Sequence, residues 1–134
     1  MMTLTQLANT AGESVHAVRY YARIGLLAPA MVSSNGYRRF DEISLRQLAF
    51  IRRAQRLGFT LAEISQIMDE AKHGSAPCTR VRSLLDARLP EVTRQFEDAR
   101  ILLDRMQHAQ RRWRRQPDRI PTGDEICHLI EGDD

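Results

Sequence analysis

The sequence predicts a mostly α-helical chain: an N-terminal winged helix-turn-helix, then one long helix that pairs with a second copy as a dimeric coiled coil. Three observations carry this. Two short amphipathic segments before Gly25 meet at a turn containing Gly12. An Asn35-Gly36 pair, a strong short-range hairpin signal, follows between two short extended runs. A heptad of apolar residues then runs from Leu85 to Trp113. These features divide the chain into a winged helix-turn-helix head over 1–72, a linker over 73–78, a dimerisation helix over 79–115 and a C-terminal segment over 116–134.

Each element has a local cause. Thr3 caps a first helix whose apolar face is Leu4, Leu7 and Ala8, and Ala11-Gly12 ends it. Ser14 caps a second helix with Val15, Val18, Tyr21 and Ala22 at helical spacing, stopped at a left-handed Gly25. Met31-Val32 and residues 37–40 flank the Asn-Gly turn as a two-stranded wing. Asp41 or Ser44 starts a third helix with Ile43, Leu45, Leu48, Ala49, Ile51 and Ala54 as its apolar positions. Thr60 and Glu63 form a capping box for a fourth, with Leu61, Ile64, Ile67 and Met68 on one face.

The long helix follows the linker at residues 73–78. Leu85, Leu89, Val92, Phe96, Ala99, Leu103, Met106 and Trp113 step by four and three, broken only at Gln110. From Thr79 to Arg115 the helix runs about 50 Å, too long to bury its seam against a small head, so it predicts a homodimer. Pro90 removes one hydrogen bond and crowds the carbonyl of Asp86, which predicts a kink or a helix start displaced towards it. In the tail, Ile126, Leu129 and Ile130 form a short apolar anchor of about one helical turn.

Charge is uneven along the chain. The net charge is +3 over 134 residues, but residues 1–59 hold eight Arg against Glu13, Asp41 and Glu42. Residues 118–134 hold one Arg against six acidic residues. A basic front suits a polyanion, and Arg binds phosphate bidentately. No stretch approaches the roughly 18 apolar residues that span a bilayer, so no membrane is expected. Two cysteines make no disulfide framework, and no signal-peptide core precedes the first helix. Both point to a cytoplasmic protein with reduced thiols. No Gly-rich phosphate loop, paired-histidine zinc motif or nucleophile with its base is present, so an enzyme is not expected.

Double-stranded DNA is the partner these features suit. A recognition helix needs a short polar surface that reaches base edges, with cations for phosphates. Val15, His16 and Arg19 suit the groove side, and Tyr20, Arg23, Tyr37 and Arg38 suit the backbone. Tyr21 follows Val18 by three and belongs to the core. Arg52, Arg53 and Arg56 fit a solvated helix face. Among Arg111, Arg112, Arg114 and Arg115, pairing with acids of the tail or of a second copy is the simpler role, with Trp113 closing the seam.

Three runs carry a resemblance: SVHAVRYYARIGLL at 14–27, NGYRRFD at 35–41 and FIRRAQRLGFTLAEI at 50–64. In this order and spacing they resemble the MerR family of transcriptional regulators. The resemblance implies an antiparallel dimerisation coil and a dimer on a palindromic promoter element. It also implies activation by bending and untwisting a promoter spacer that is too long, which acts on RNA polymerase indirectly. His16 and Arg19 match base- and phosphate-contacting positions, with His16 where Arg is common. Tyr20, Tyr37 and Arg38 match residues that grip the backbone.

The resemblance also points to an effector. Cys78 stands just before the long helix, where metal-sensing members keep a thiolate, and Cys127 resembles the last cysteine of their metal loop. In an antiparallel coil, Cys78 of one chain meets Cys127 of the other. Thiolates suit mercury, cadmium, lead, zinc or copper(I). The other loop cysteine would fall within residues 114–118 and is absent. His128, His73, Glu125 or Asp124 is left to complete a site, which favours a borderline ion such as zinc. The alternative is an architectural or repressor-type DNA-binding dimer with no metal effector, in which Cys127 packs as a small hydrophobe.

Overall fold

The computed structural model describes residues 1–133. Elements run α1 (Leu4–Ala11), α2 (Val15–Arg23), β1 (Met31–Val32), β2 (Arg38–Arg39), α3 (Glu42–Arg56), α4 (Leu61–Lys72), α5 (Cys78–Trp113) and α6 (His128–Glu131). They form two compact units, one over Met1–Leu85 and a second from Asp86 onward.

In the first unit the helix starts follow capping chemistry. Thr3 and Gln6 form one reciprocal capping box and Thr60 and Glu63 another. Ser14 Oγ accepts from the Ala17 amide, and Asp41 caps α3 through Ile43. Each cap satisfies amides that the first turn leaves without a partner, a stabilisation of about 1 kcal/mol apiece. Gly12, at φ 72°, closes α1 with its amide on Ala8 and Asn9 carbonyls. A left-handed residue there lets α2 begin three residues later.

The core gathers Leu7, Val18, Leu27, Phe40, Leu48, Ile51 and Ile64, all essentially inaccessible to solvent. Val81 and Leu84 pack against it from the first turns of α5, while neighbouring Leu85 stays exposed. The expected face of α3 shifts slightly. Ile43 is exposed and Ser44 is buried, because Ser44 lies in phase with Leu48 and Ile51. Phe40 leaves the wing: it exchanges backbone hydrogen bonds with Met2 at 2.7 and 2.8 Å and sinks into the core.

The wing pairs Met31 with Arg39 and Val32 with Arg38, antiparallel. Its turn spans Ser33 to Gly36 rather than two residues, with the Ser33 amide on the Tyr37 carbonyl at 2.8 Å. Only Gly36 has positive φ, so the type I′ geometry expected of Asn-Gly, which needs φ above zero at both residues, does not form.

α5 starts at Cys78 and runs unbroken through Pro90 to Trp113. This corrects the expectation of a start displaced towards Pro90: the lost amide bond is one among those of 36 residues. In the protomer, Leu89, Val92, Phe96, Leu103 and Met106 are exposed along the heptad, Phe96 at 70%. Arg100, flanking that seam, bridges Glu97 and Asp104. The Arg100 guanidinium, hydrogen-bonded to Glu97, holds that carboxyl below its usual range, and Glu97 in turn raises Arg100. No described helix is long and apolar enough to cross a membrane.

Candidate nucleic-acid interface

Helix α2 turns Val18 and Tyr21 into the core, which leaves His16, Arg19, Tyr20 and Arg23 outside. Val15, expected on the groove side, is partly buried and packs against the core cluster. The polar tip of α2 is therefore His16 and Arg19. Tyr20 is held edge-on to buried Tyr21, ring centroids 6.3 Å apart, and the Arg23 guanidinium lies 5.1 Å from the Tyr20 ring centre. This cation–π contact orders Arg23 without neutralising it.

The wing stands beside α2. Arg19 and Arg23 share a cleft of about 600 Å³ with Tyr37, Arg38 and Arg39. Tyr37, in the turn, is 65% exposed. Among the described residues, no carboxylate pairs with Arg19, Arg23, Arg38 or Arg39. Guanidinium groups brought together with no acid between them suit a polyanion and repel one another without it.

One basic residue plays a different part from the one expected. Arg52 is not on a solvated face: its Nε pairs with Glu13 at 2.9 Å and its Nη1 donates to the Ala11 carbonyl at 2.7 Å. It ties α3 to the turn that sets the entry angle of α2. The only sequence signal for this role is Glu13, an isolated acid in a basic region.

The candidate metal residues fall in two separate segments, the start of α5 and the start of α6. Cys78 is the first residue of α5 and is exposed; Cys127 is part-buried and precedes α6. Around Cys127 the loop is held by carboxylates. Glu131 Oε2 accepts the Ile126 and Cys127 amides, both at 3.0 Å. Glu125 accepts the Thr122 hydroxyl and amide and pairs with Arg119, which together hold its carboxyl below the usual range. His128 Nε2 lies 3.0 Å from the Pro117 carbonyl, which leaves Nδ1 for another partner. Among the described residues of one chain, no three His, Cys, Asp or Glu gather as a metal site. The apolar anchor expected in the tail is smaller than predicted: Ile126 and Ile130 are exposed, and Leu129 and Cys127 alone are part-buried with His128. Arg112 pairs with Asp133 at 2.5 Å, the tail contact expected of that arginine cluster.

The sequence profile described as MerR HTH family regulatory protein matches residues 2–71, and one described as MerR, DNA binding matches residues 45–109. This chain belongs to the MerR family. It is a DNA-binding transcriptional regulator and not an enzyme. A relative in Haemophilus influenzae, named "Probable heavy metal-dependent transcriptional regulator", is 30% identical over 107 residues, covering 80% of this chain and 84% of the relative. The mercuric resistance operon regulatory protein of Bacillus cereus is 31% identical over 103 residues, 74% of this chain and 78% of the relative. Among solved structures, the transcription regulator PbrR691 from Ralstonia metallidurans in complex with lead(II) superposes with a TM-score of 0.74. It is 28% identical and covers 98% of each chain.

Proposed function

We propose that this MerR regulator works as an antiparallel homodimer on a palindromic promoter element and is switched by a thiophilic or borderline metal ion. The observation that carries the DNA half is the cleft of unpaired arginines between α2 and the wing. His16 and Arg19 enter the major groove, and Tyr20, Arg23, Tyr37 and Arg38 grip the backbone on either side. The exposed seam, Leu85, Leu89, Val92, Phe96, Ala99, Leu103, Met106 and Trp113, is the dimer interface. Trp113, part-buried within its own chain, closes its end.

Activation follows from geometry. A dimer that holds two half-sites fixes their spacing and relative rotation, and shifting the heads deforms the DNA between them at about 1–6 kcal/mol. An ion drives that shift only if it binds one head arrangement better than the other.

Cys78, Cys127 and His128 are the proposed metal ligands. The antiparallel seam places positions 85 and 113 side by side, so the start of one α5 meets the tail of the other chain. The donors that fail to gather within one chain then come from two. Two thiolates with His128 Nδ1 suit zinc or another borderline ion better than a three-thiolate mercury site. The metal-named relatives and the lead-bound neighbour support a metal effector. The carboxylate-pinned loop around Cys127 favours the second reading, a repressor-type or architectural dimer with no metal effector.

The test is transcription from a promoter with an over-long spacer, with zinc, cadmium, mercury, lead and copper(I) supplied in turn. We expect one or more ions to raise output in the wild type and none in Cys78→Ser or Cys127→Ser. Equal output under every condition refutes the metal half and leaves the second reading.

A further inference from the structure

The cleft between α2 and the wing has a third wall that no recognition-helix argument predicts: Thr3, Leu4 and Thr5 at the start of α1. We propose that this wall completes a seat for one DNA phosphodiester, with Thr5 as a binding residue beside Arg23, Arg38 and Arg39. The inference rests on the proposed DNA interface and extends it to a helix outside the recognition pair.

Two independent features converge there. The first is the arginine set itself: four arginines, from two elements, line one cleft with no carboxylate among the described residues paired to them. Such a cleft is built for an anion. The second is the pattern of donors on its third wall. The capping box uses the Thr3 and Gln6 amides, while the Leu4 and Thr5 amides hold no hydrogen bond. Leu4 packs on the core and fixes the turn in place, while Thr5 is exposed. A phosphate oxygen in the cleft meets cations on two sides, and amides with a hydroxyl on the third. Neutral donors fix where a phosphate sits, and the arginines supply the attraction.

The charge of residue 5 makes this testable, because helix stability and DNA binding respond to it in opposite directions. An acid in a first turn stabilises a helix and a base there weakens it. In the phosphate seat the order reverses. We expect Thr5→Glu to melt at or above the wild-type temperature yet bind a mixed-sequence duplex about tenfold more weakly. Its slope of log affinity against log salt should fall by about 0.9 per head. Thr5→Lys should melt slightly lower yet bind more tightly, with a steeper slope. Ser65→Glu, the same charge change at an exposed α4 position outside the cleft, should leave the slope near wild type. If Thr5→Glu and Thr5→Lys both keep the wild-type slope while Arg19→Ala loses binding, the seat is wrong and the interface stands. If Arg19→Ala also binds as the wild type does, both are overturned.

Discussion

Arg19→Ala is expected to weaken binding to the selected promoter element by roughly 5- to 150-fold per head, the 1–3 kcal/mol of a good bidentate base contact. Arg19 is exposed on α2, unpaired, and lies with the wing arginines in one cleft. Its removal leaves the core untouched, since α2 is anchored by Val18 and Tyr21 on its other face. The melting temperature should therefore stay within a few degrees of wild type. Competition between the element and scrambled duplexes separates two roles for the side chain. If Arg19 reads a base, Arg19→Ala loses discrimination at one base pair of each half-site. If it holds only phosphate, affinity falls equally on all sequences and the salt slope drops by about one per head.

Phe96→Asp is expected to convert the dimer to a monomer and to abolish binding to the palindrome. Phe96 lies mid-seam on α5 and is largely exposed in the protomer. Burying a phenylalanine there contributes about 1.5–3 kcal/mol per copy. The substitution removes that twice and sets two unpaired carboxylates into an apolar seam. Sedimentation should show a chain of 15.4 kDa rather than twice that mass. The head, whose core lies in the first unit, should keep its helical signal and its weak affinity for non-specific DNA. A Phe96→Asp protein that stays dimeric would move the interface off the heptad.

The helix-turn-helix was legible because its signals are local. Thr3, Ser14 and Thr60 each sit where a helix begins, and Gly12 and Gly25 both adopt the left-handed backbone their positions suggest. The heptad was legible for the same reason, since Leu85 to Met106 repeat without reference to anything else in the chain. Failures arose where a distant contact overrode a local pattern. Phe40 reads as a strand residue but finds Met2, and Arg52 reads as solvated but finds Glu13 and the Ala11 carbonyl. Ser44 is polar by composition and buried by phase. In the tail, Ile126 and Ile130 are apolar at helical spacing, yet a four-residue helix has too little surface to cover them.

The candidate site divides in the same way. His16, Arg19, Tyr20, Arg23, Tyr37 and Arg38 were readable because helical periodicity fixes which side of α2 faces out and because the hairpin brings the wing alongside. Val15 is part-buried because the first residue of a short helix borders both faces. The first turn of α1 was invisible as a binding element: nothing in Thr3-Leu4-Thr5 says that it meets Arg38 and Arg39 across a cleft. The thiols were readable as chemistry but not as a site, because their proposed meeting lies between two chains.

In the proposed mechanism a dimer presents α2 and the wing twice, to two halves of one palindrome. Equilibrium titration of wild-type protein against the selected duplex, a half-site duplex and a scrambled duplex, over a range of salt, tests it most directly. Two chains per selected duplex are expected, with a steep loss of affinity for the half-site. Scrambled DNA should bind at least about a thousandfold more weakly at physiological salt. Binding of one chain per duplex, or equal affinity for selected and scrambled DNA, would contradict this mechanism.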